Sequence, residues 1–340
     1  MRVGIVGTGA IAGKHAQAYK NIGYRVGAVT NATPAKGIKF AEAHGAEFVA
    51  NLEELCQHPE VDFIDVCTLP SYRLPAVELA ARNGKHVLVE KPMAIDLETA
   101  ESMIAVARDA GIQLGVVSQH RFDDAVLFLK RAMSEGRLGR ILQADAYVKW
   151  YRPAEYYARP QKGTWAGEGG GALINQAIHS VDLLLHLAGA VDEVFAYWQL
   201  GGLHAIESED SVSAVLRYAS GALGVIQAST SLWPGSPERL EIHGTRGTAI
   251  LTGDQLTTWD VREDAGELAP VARQAASGAS DPMAISLAPF ERQLTDFGEA
   301  CKAGRLPACS GLDGFRALEL VRSIYTSCAE ARSVRIAAKV

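Results

Sequence analysis

Up to about residue 120, short apolar runs alternate with longer stretches whose apolar positions recur at helical spacing. The runs Val3 to Val6, Arg25 to Thr30, Phe63 to Thr68, His86 to Glu90 and Gln113 to Val117 lack polar alternation, as strands covered on both faces do. Between them the spacing predicts helices near Ile11 to Asn21, Pro34 to His44, Leu74 to Asn83 and Leu97 to Ala110, the last stopped by Gly111. Strands and helices in alternation predict a parallel sheet with helical crossovers, a doubly wound α/β domain over residues 1–120.

The character changes after a predicted helix near Asp124 to Glu135. Longer strands follow at Ile141 to Tyr151, Glu193 to Leu200, Ser211 to Tyr218 and Ala222 to Ser229, with Tyr218-Ala219-Ser220-Gly221 as the turn between the last two. One helix interrupts them, Leu173 to Leu187. This spacing predicts a second, α+β domain over residues 121–340 with an open, mainly antiparallel sheet. The Ala-, Gly- and Ser-rich tract from Glu263 to Ser280 is expected to be a surface loop.

Composition narrows the function class. The 340 residues are 48% hydrophobic and 21% charged, ordinary for a globular chain with room for two cores. A formal charge of −6 gives no basic excess to draw the chain onto nucleic acid or an acidic membrane. The five cysteines are scattered and form no CxxC pair, which fits a reducing compartment better than a disulfide framework or a zinc knuckle. No apolar stretch reaches the length of a membrane span, so a cytoplasmic protein acting on a small molecule is expected.

Gly7-Thr8-Gly9-Ala10-Ile11-Ala12 follows the first strand directly and opens the first helix, matching GxGxxG/A. Gly7 suits the tight turn and Gly9 lets backbone approach a pyrophosphate. Ala10 and Ile11 bring helix N-terminal N–H groups to it, while Ala12 keeps helix and sheet close. The alternative is a glycine turn with no ligand. Where dinucleotide sites usually place an acid at the end of the second strand, this chain has Thr30 and Asn31. A neutral amide does not repel a 2′-phosphate, and Thr33 and Lys36 offer donors, which tilts the cofactor towards NADP with NAD left open. In the other reading Asn31 caps the helix at Pro34 and Lys36 is solvated.

Thr68, Pro70, Glu90 and Lys91 lie at or just beyond the carboxyl ends of predicted strands, the side on which open α/β sheets bind ligands, and are assigned to the cofactor. Lys91 follows Glu90 in His86-Val87-Leu88-Val89-Glu90-Lys91-Pro92, an apolar strand ending in two charges and a proline. A lysine there can hydrogen-bond a substrate hydroxyl and stabilise developing alkoxide character; a solvated strand terminator is the alternative.

In the second domain, Gly169-Gly170-Gly171 precedes a helix carrying Asn175 and His179 one turn apart, on one face. The glycines would let backbone approach a ligand, and a neutral His179 can take a carbinol proton; a hydrogen-bonded core or interface histidine is the alternative. His179, Asp182 and His186 share a helical face, but one straight helix seldom offers convergent ligands, so no metal is expected. Tyr151, Arg152, Tyr156 and Trp165 crowd the segment before the glycines and form a candidate substrate lid, aromatic faces offering packing and Tyr and Arg offering hydrogen bonds. A subdomain or oligomer contact is the alternative. Arg121 closes the last strand of the first domain and is a further substrate candidate.

The glycine loop, the HVLVEKP run and the GGGALINQAIH segment, in this order and spacing, resemble the Gfo/Idh/MocA family of pyranose and polyol oxidoreductases across almost the whole chain. The resemblance implies a Rossmann domain, a nicotinamide cofactor, Lys91 as the active-site EKP lysine, and a homodimer or homotetramer formed through the outer face of the C-terminal sheet. It implies hydride transfer at a carbinol or carbonyl carbon of a sugar, inositol or sugar derivative. Many members carry aspartate where this chain has Asn175, which leaves the proton role divided between Lys91 and His179. Arg73 stands where the family often has histidine. The alternatives on this fold are an NAD-dependent glycosidase using transient oxidation and a non-catalytic dinucleotide-binding regulator.

Overall fold

The computed structural model describes residues 1–264, 266–272 and 286–336 and divides into two compact units. The first takes Met1–Gln119 and then Ser286–Phe315; the second takes the rest of the described chain, from His120 and again from Arg316. The expectation of one second domain over 121–340 is corrected, because residues 286–315 pack with the first unit. Half of the predicted loop from Glu263 to Ser280, residue 265 and residues 273–280, lies outside the described residues.

The first unit holds strands β1 (Arg2–Val6), β2 (Arg25–Thr30), β3 (Glu47–Phe48), β4 (Phe63–Val66), β5 (His86–Val89) and β6 (Leu114–Val116). They form a parallel sheet in the order β3-β2-β1-β4-β5-β6, with helices α1 (Ala10–Asn21), α2 (Pro34–His44), α3 (Leu52–Gln57), α4 (Leu74–Arg82) and α5 (Leu97–Asp109) between them. Burial on both faces explains the continuous apolar runs: Phe63, Ile64, Val87, Leu88 and Val89 are fully buried. A helix from the far end of the chain, Ala288–Ala303, completes the cover. Its Phe290, Leu294 and Phe297 are buried, and the Phe297 ring lies 5.2 Å from that of Phe63. A Cβ on Gly115 of β6 would stand 2.7 Å from the Phe297 ring, so the strand needs glycine there. Burial of each such phenyl contributes about 1.5–3 kcal/mol. Gln293 of the same helix closes the end of β6, donating to the Val116 carbonyl at 2.8 Å and accepting from the Ser118 N–H at 3.0 Å.

The second unit begins with α6 (Asp124–Ser134) and carries β7 (Ile141–Lys149), β8 (Val191–Gln199), β9 (Ser211–Tyr218), β10 (Leu223–Ser229), β11 (Arg239–Gly244), β12 (Gly247–Thr252), β13 (Gln255–Val261) and β14 (Val334–Arg335). Their order is β13-β12-β11-β7-β10-β9-β8-β14; every pairing is antiparallel except β7 with β10. Alternate residues of β9, Val212, Ala214, Leu216 and Tyr218, are buried, while Val215 on the other face is exposed. Two one-turn helices, α7 (Ala154–Tyr157) and α8 (Trp165–Glu168), lead to α9 (Ile178–Ala188). The predicted helix Leu173 to Leu187 is in fact two segments, a π-helical turn over Ala172–Ala177 followed by α9. Among the described residues no helix is long and apolar enough to cross a membrane.

Candidate active site

In the first unit the glycine loop sits where β1 hands over to α1. Gly7 has φ +87°, a left-handed conformation that side chains disfavour, and its N–H donates to the Thr30 carbonyl at 2.9 Å. A Cβ on Gly9 would meet no protein atom within 4 Å, so packing does not require glycine there and the backbone is open to a ligand. The first turn of α1 has neither a side-chain cap nor an acidic residue, which leaves its N–H groups suited to an anion, and Ala12 is fully buried at the sheet. Beside Gly7, the Thr68 hydroxyl is buried without a hydrogen-bond partner in the protein, as is that of Ser71 in the turn that follows. These features fit a dinucleotide pyrophosphate held by Gly7, Gly9, Ala10 and Ile11.

Asn31 does not cap α2. Its amide donates to the Thr8 hydroxyl at 2.7 Å, tying the end of β2 to the glycine loop. The N-cap of α2 is Thr33, whose side chain makes no capping bond, and both Thr33 and Lys36 are exposed. Pro70 opens a short 3₁₀ turn that delivers Arg73 to the buried carboxyl edge of the sheet.

That edge holds a group of buried charges which no sequence pattern announced. His15 of α1 lies 2.8 Å from Asp65 through Nδ1, and its Nε2 makes an ionic contact of 3.1 Å with Glu90 that misses hydrogen-bond geometry. Tyr19 donates to Asp65 at 2.8 Å. Burial opposes a charge on His15, but Asp65 and Cys67 outweigh it and hold the imidazolium well above its ordinary range. Glu90 is likewise disfavoured as an anion by burial, yet His15, Lys91 and Arg73 bring it below the usual carboxylate range. The Glu90 carboxylate accepts the Lys91 backbone N–H at 3.0 Å. The Lys91–Pro92 bond is cis.

The second unit places Asn175 on the π-helical turn and His179 in the first turn of α9. The His120 ring meets that of His179 edge-on at 5.1 Å, and Asp123 holds His120 Nδ1 at 2.8 Å. Burial opposes protonation of His120, but Asp123 raises its pKa above the ordinary value. Arg121 and Asp182 form a buried bidentate pair at 2.7 and 2.6 Å. This corrects the expectation for Arg121: its guanidinium braces the helix that carries His179.

One further expectation changes. Gly170 and Gly171 admit the protein's own groups, since a Cβ on Gly171 would stand 1.8 Å from the Glu209 carbonyl and one on Gly170 2.3 Å from the Tyr325 hydroxyl. The aromatic tract makes ring contacts within its unit while Tyr151, Tyr156 and Trp165 stay half-buried. Trp165 lies edge-on to Tyr325 at 5.1 Å and Tyr151 edge-on to Trp233 at 5.0 Å. Arg152 is buried with its guanidinium 4.7 Å from the Trp150 ring and 5.6 Å from that of Tyr156. Sequence reading missed Gln176, which donates to the Tyr156 hydroxyl at 2.9 Å and so joins the tract to the π-helical turn. It also missed Glu209, whose carboxylate accepts the Gly171 and Leu173 N–H groups, each at 2.8 Å, and the Tyr325 hydroxyl at 2.9 Å.

Two models of one family match the chain: an oxidoreductase family with an NAD-binding Rossmann fold over residues 1–118, and the GFO/IDH/MocA C-terminal domain over residues 126–250. The chain belongs to the GFO/IDH/MocA oxidoreductase family. It is 27% identical to inositol 2-dehydrogenase of Rhizobium meliloti (strain 1021) over 99% of both chains, and 28% identical to 1,5-anhydro-D-fructose reductase of Ensifer adhaerens over 98% of both. A solved WlbA dehydrogenase from Bordetella pertussis, in complex with NADH and UDP-GlcNAcA, superposes with a TM-score of 0.87 at 28% identity over 99% of both chains. The protein is thus an NAD(P)-dependent oxidoreductase of the sugar and polyol class.

Proposed function

We propose that the protein moves a hydride between nicotinamide and a carbinol or carbonyl carbon of a cyclic sugar, inositol or sugar derivative, with Lys91 and His179 sharing the accompanying proton and Asn175 orienting the substrate. The bound nicotinamide supplies the hydride acceptor or donor. In oxidation a carbinol loses a hydride and a proton; a neutral Lys91 amine or His179 imidazole takes the proton, and in reduction the protonated form returns it. An amide at Asn175 orients through hydrogen bonds but adds no charge beside His179. The observation that carries this reading is Lys91 itself, placed beyond the carboxyl end of β5 on the edge where β1 opens into the glycine loop, with its backbone fixed by Glu90.

The cofactor is assigned as NADP in preference to NAD. Support comes from the end of β2, where Thr30 and Asn31 replace a carboxylate, and from the first turn of α2, which is free of acidic residues and exposes Lys36. Homodimer or homotetramer formation through the outer sheet face is supported by exposed Tyr197, Val215 and Leu223. Five free cysteines support a cytoplasmic location. The test is nicotinamide absorbance with NADP or NAD across a polyol and sugar panel. Lys91→Ala is expected to lower kcat by about 10²–10⁴-fold. Full activity in that variant would remove Lys91 from the mechanism, and glycoside cleavage without net cofactor reduction would move the protein to the glycosidase reading.

A further inference from the structure

Arg73 makes bonds that a helix-starting arginine does not need. It is 3% exposed, and its guanidinium donates to carbonyls on two separate segments of the sheet's carboxyl edge. Nε and Nη2 donate to the Thr68 carbonyl at 3.0 and 2.6 Å, and Nη1 donates to the carbonyls of Glu90 and Pro92. Those last two residues flank Lys91. Thr68 in turn lies against the glycine loop, its methyl 3.1 Å from where a Cβ on Gly7 would stand. One planar fork therefore spans the loop's neighbour and both sides of the lysine.

We propose that Arg73 is a positioning residue for Lys91, setting the lysine's backbone against the cofactor loop while Glu90, backed by His15, holds it from the other side. The inference rests on the reading that Lys91 handles a proton. Geometry favours a guanidinium in this role, because it presents five donors in a fixed plane, where an ammonium is a point charge on a flexible stem. Placement matters at this scale, because a shift of about 1 Å in a reacting group can cost about 10²-fold in rate. Burial lowers the arginine's pKa to about 10, partly offset by Glu90, so it stays cationic at neutral pH.

The experiment uses the full chain with Arg73→Lys and Arg73→Ala. Arg73→Lys keeps the charge and loses the fork; kcat is expected to fall by about 10–100-fold while the Kd for the dinucleotide, read by fluorescence, stays within about threefold. In the cofactor-free protein, amide hydrogen exchange is expected to rise in segments 67–73 and 89–93 and nowhere else. Added guanidinium should restore part of the kcat of Arg73→Ala; if that variant does not fold, Arg73→Lys decides alone. Wild-type kcat and exchange in Arg73→Lys, or equal losses in kcat and dinucleotide affinity, overturn the inference. Failure of the underlying reading shows separately, as full activity in Lys91→Ala.

Discussion

The two units fix their reactive groups by different means, although the second also keeps one buried ion pair, Arg121–Asp182, behind His179. Around Lys91 the first unit buries charge: His15, Asp65, Glu90 and Arg73 lie together beneath the sheet edge, and the backbone is held by a carboxylate and a guanidinium. Around Asn175 and His179 the second unit distorts backbone, with a π-helical turn whose entrance is tied to one residue. Glu209 accepts three hydrogen bonds there through its carboxylate and a fourth, from the Ala172 N–H at 3.0 Å, through its carbonyl. A buried charge cluster gives rigid placement but fails badly when one member is lost. A backbone clamp leaves donors that other acceptors can partly satisfy, so its failure is gentler.

The sharpest way to break this comparison is His15→Ala, which leaves Asp65 and Glu90 buried without their shared cation. The loss is expected to be about 3–5 kcal/mol in chemical denaturation. A loss below about 1 kcal/mol would mean the two carboxylates take up protons at little cost, and the cluster would not be the rigid element of the first unit.

What the sequence made legible follows the same division. Strands buried on both faces appear as apolar runs, and β2, α2 and β9 have the predicted limits. The glycine loop was readable because its turn between β1 and α1 is set by neighbouring residues. Arg73 was not: between Tyr72 and Leu74 it looks like an ordinary helix start, and only the fold brings Thr68, Glu90 and Pro92 to it. Glu209 sits in Glu207-Ser208-Glu209-Asp210, which resembles a solvated charge run, yet Ser208, Glu209 and Asp210 are fully buried. Over a single turn, α and π spacing give the same apolar pattern, so Ala172–Ala177 could not be told from the helix after it. The Ala288–Ala303 helix shows apolar positions at Phe290, Leu294 and Phe297, but periodicity gives a buried face without saying which core receives it.

Glu209→Gln sharpens the comparison from the other side. Burial raises this carboxyl from 4.5 to about 7, against the pull of its Leu173, Tyr325 and Gly171 hydrogen bonds. An acid whose folded pKa is raised stabilises the fold fully below its unfolded value, and that contribution is lost as pH rises through the folded value. The wild-type Tm is therefore expected to fall more steeply than that of Glu209→Gln between about pH 5 and pH 8. The substitution itself should cost about 1–3 kcal/mol, less than His15→Ala. Parallel Tm profiles would show that Glu209 does not titrate in this window.

Within the first unit, Gly7→Ala and Gly9→Ala separate folding from binding. Alanine at Gly7 must adopt φ +87° and is expected to cost about 1–2 kcal/mol of stability. Gly9 has φ −75°, which alanine adopts readily, so stability should change by less than about 0.5 kcal/mol. Dinucleotide Kd should nevertheless weaken by about tenfold, since the new methyl occupies space the pyrophosphate needs. Unchanged affinity in Gly9→Ala, measured by titration calorimetry, would leave the glycine without a ligand-based reason.

The smallest effect concerns the 2′-phosphate. Lys36 is exposed, so its attraction for a phosphate is screened and worth about 1 kcal/mol at most, roughly fivefold in affinity. Lys36→Glu should shift the ratio of kcat/KM for NADP over NAD towards NAD by about that factor at low ionic strength, and by less at about 0.5 M salt. A ratio that does not move at either salt concentration would assign any NADP preference to Asn31 and Thr33, whose hydrogen bonds are less sensitive to screening. A wild-type ratio below one would show that an absent carboxylate at the end of β2 is not enough to select the phosphorylated ribose.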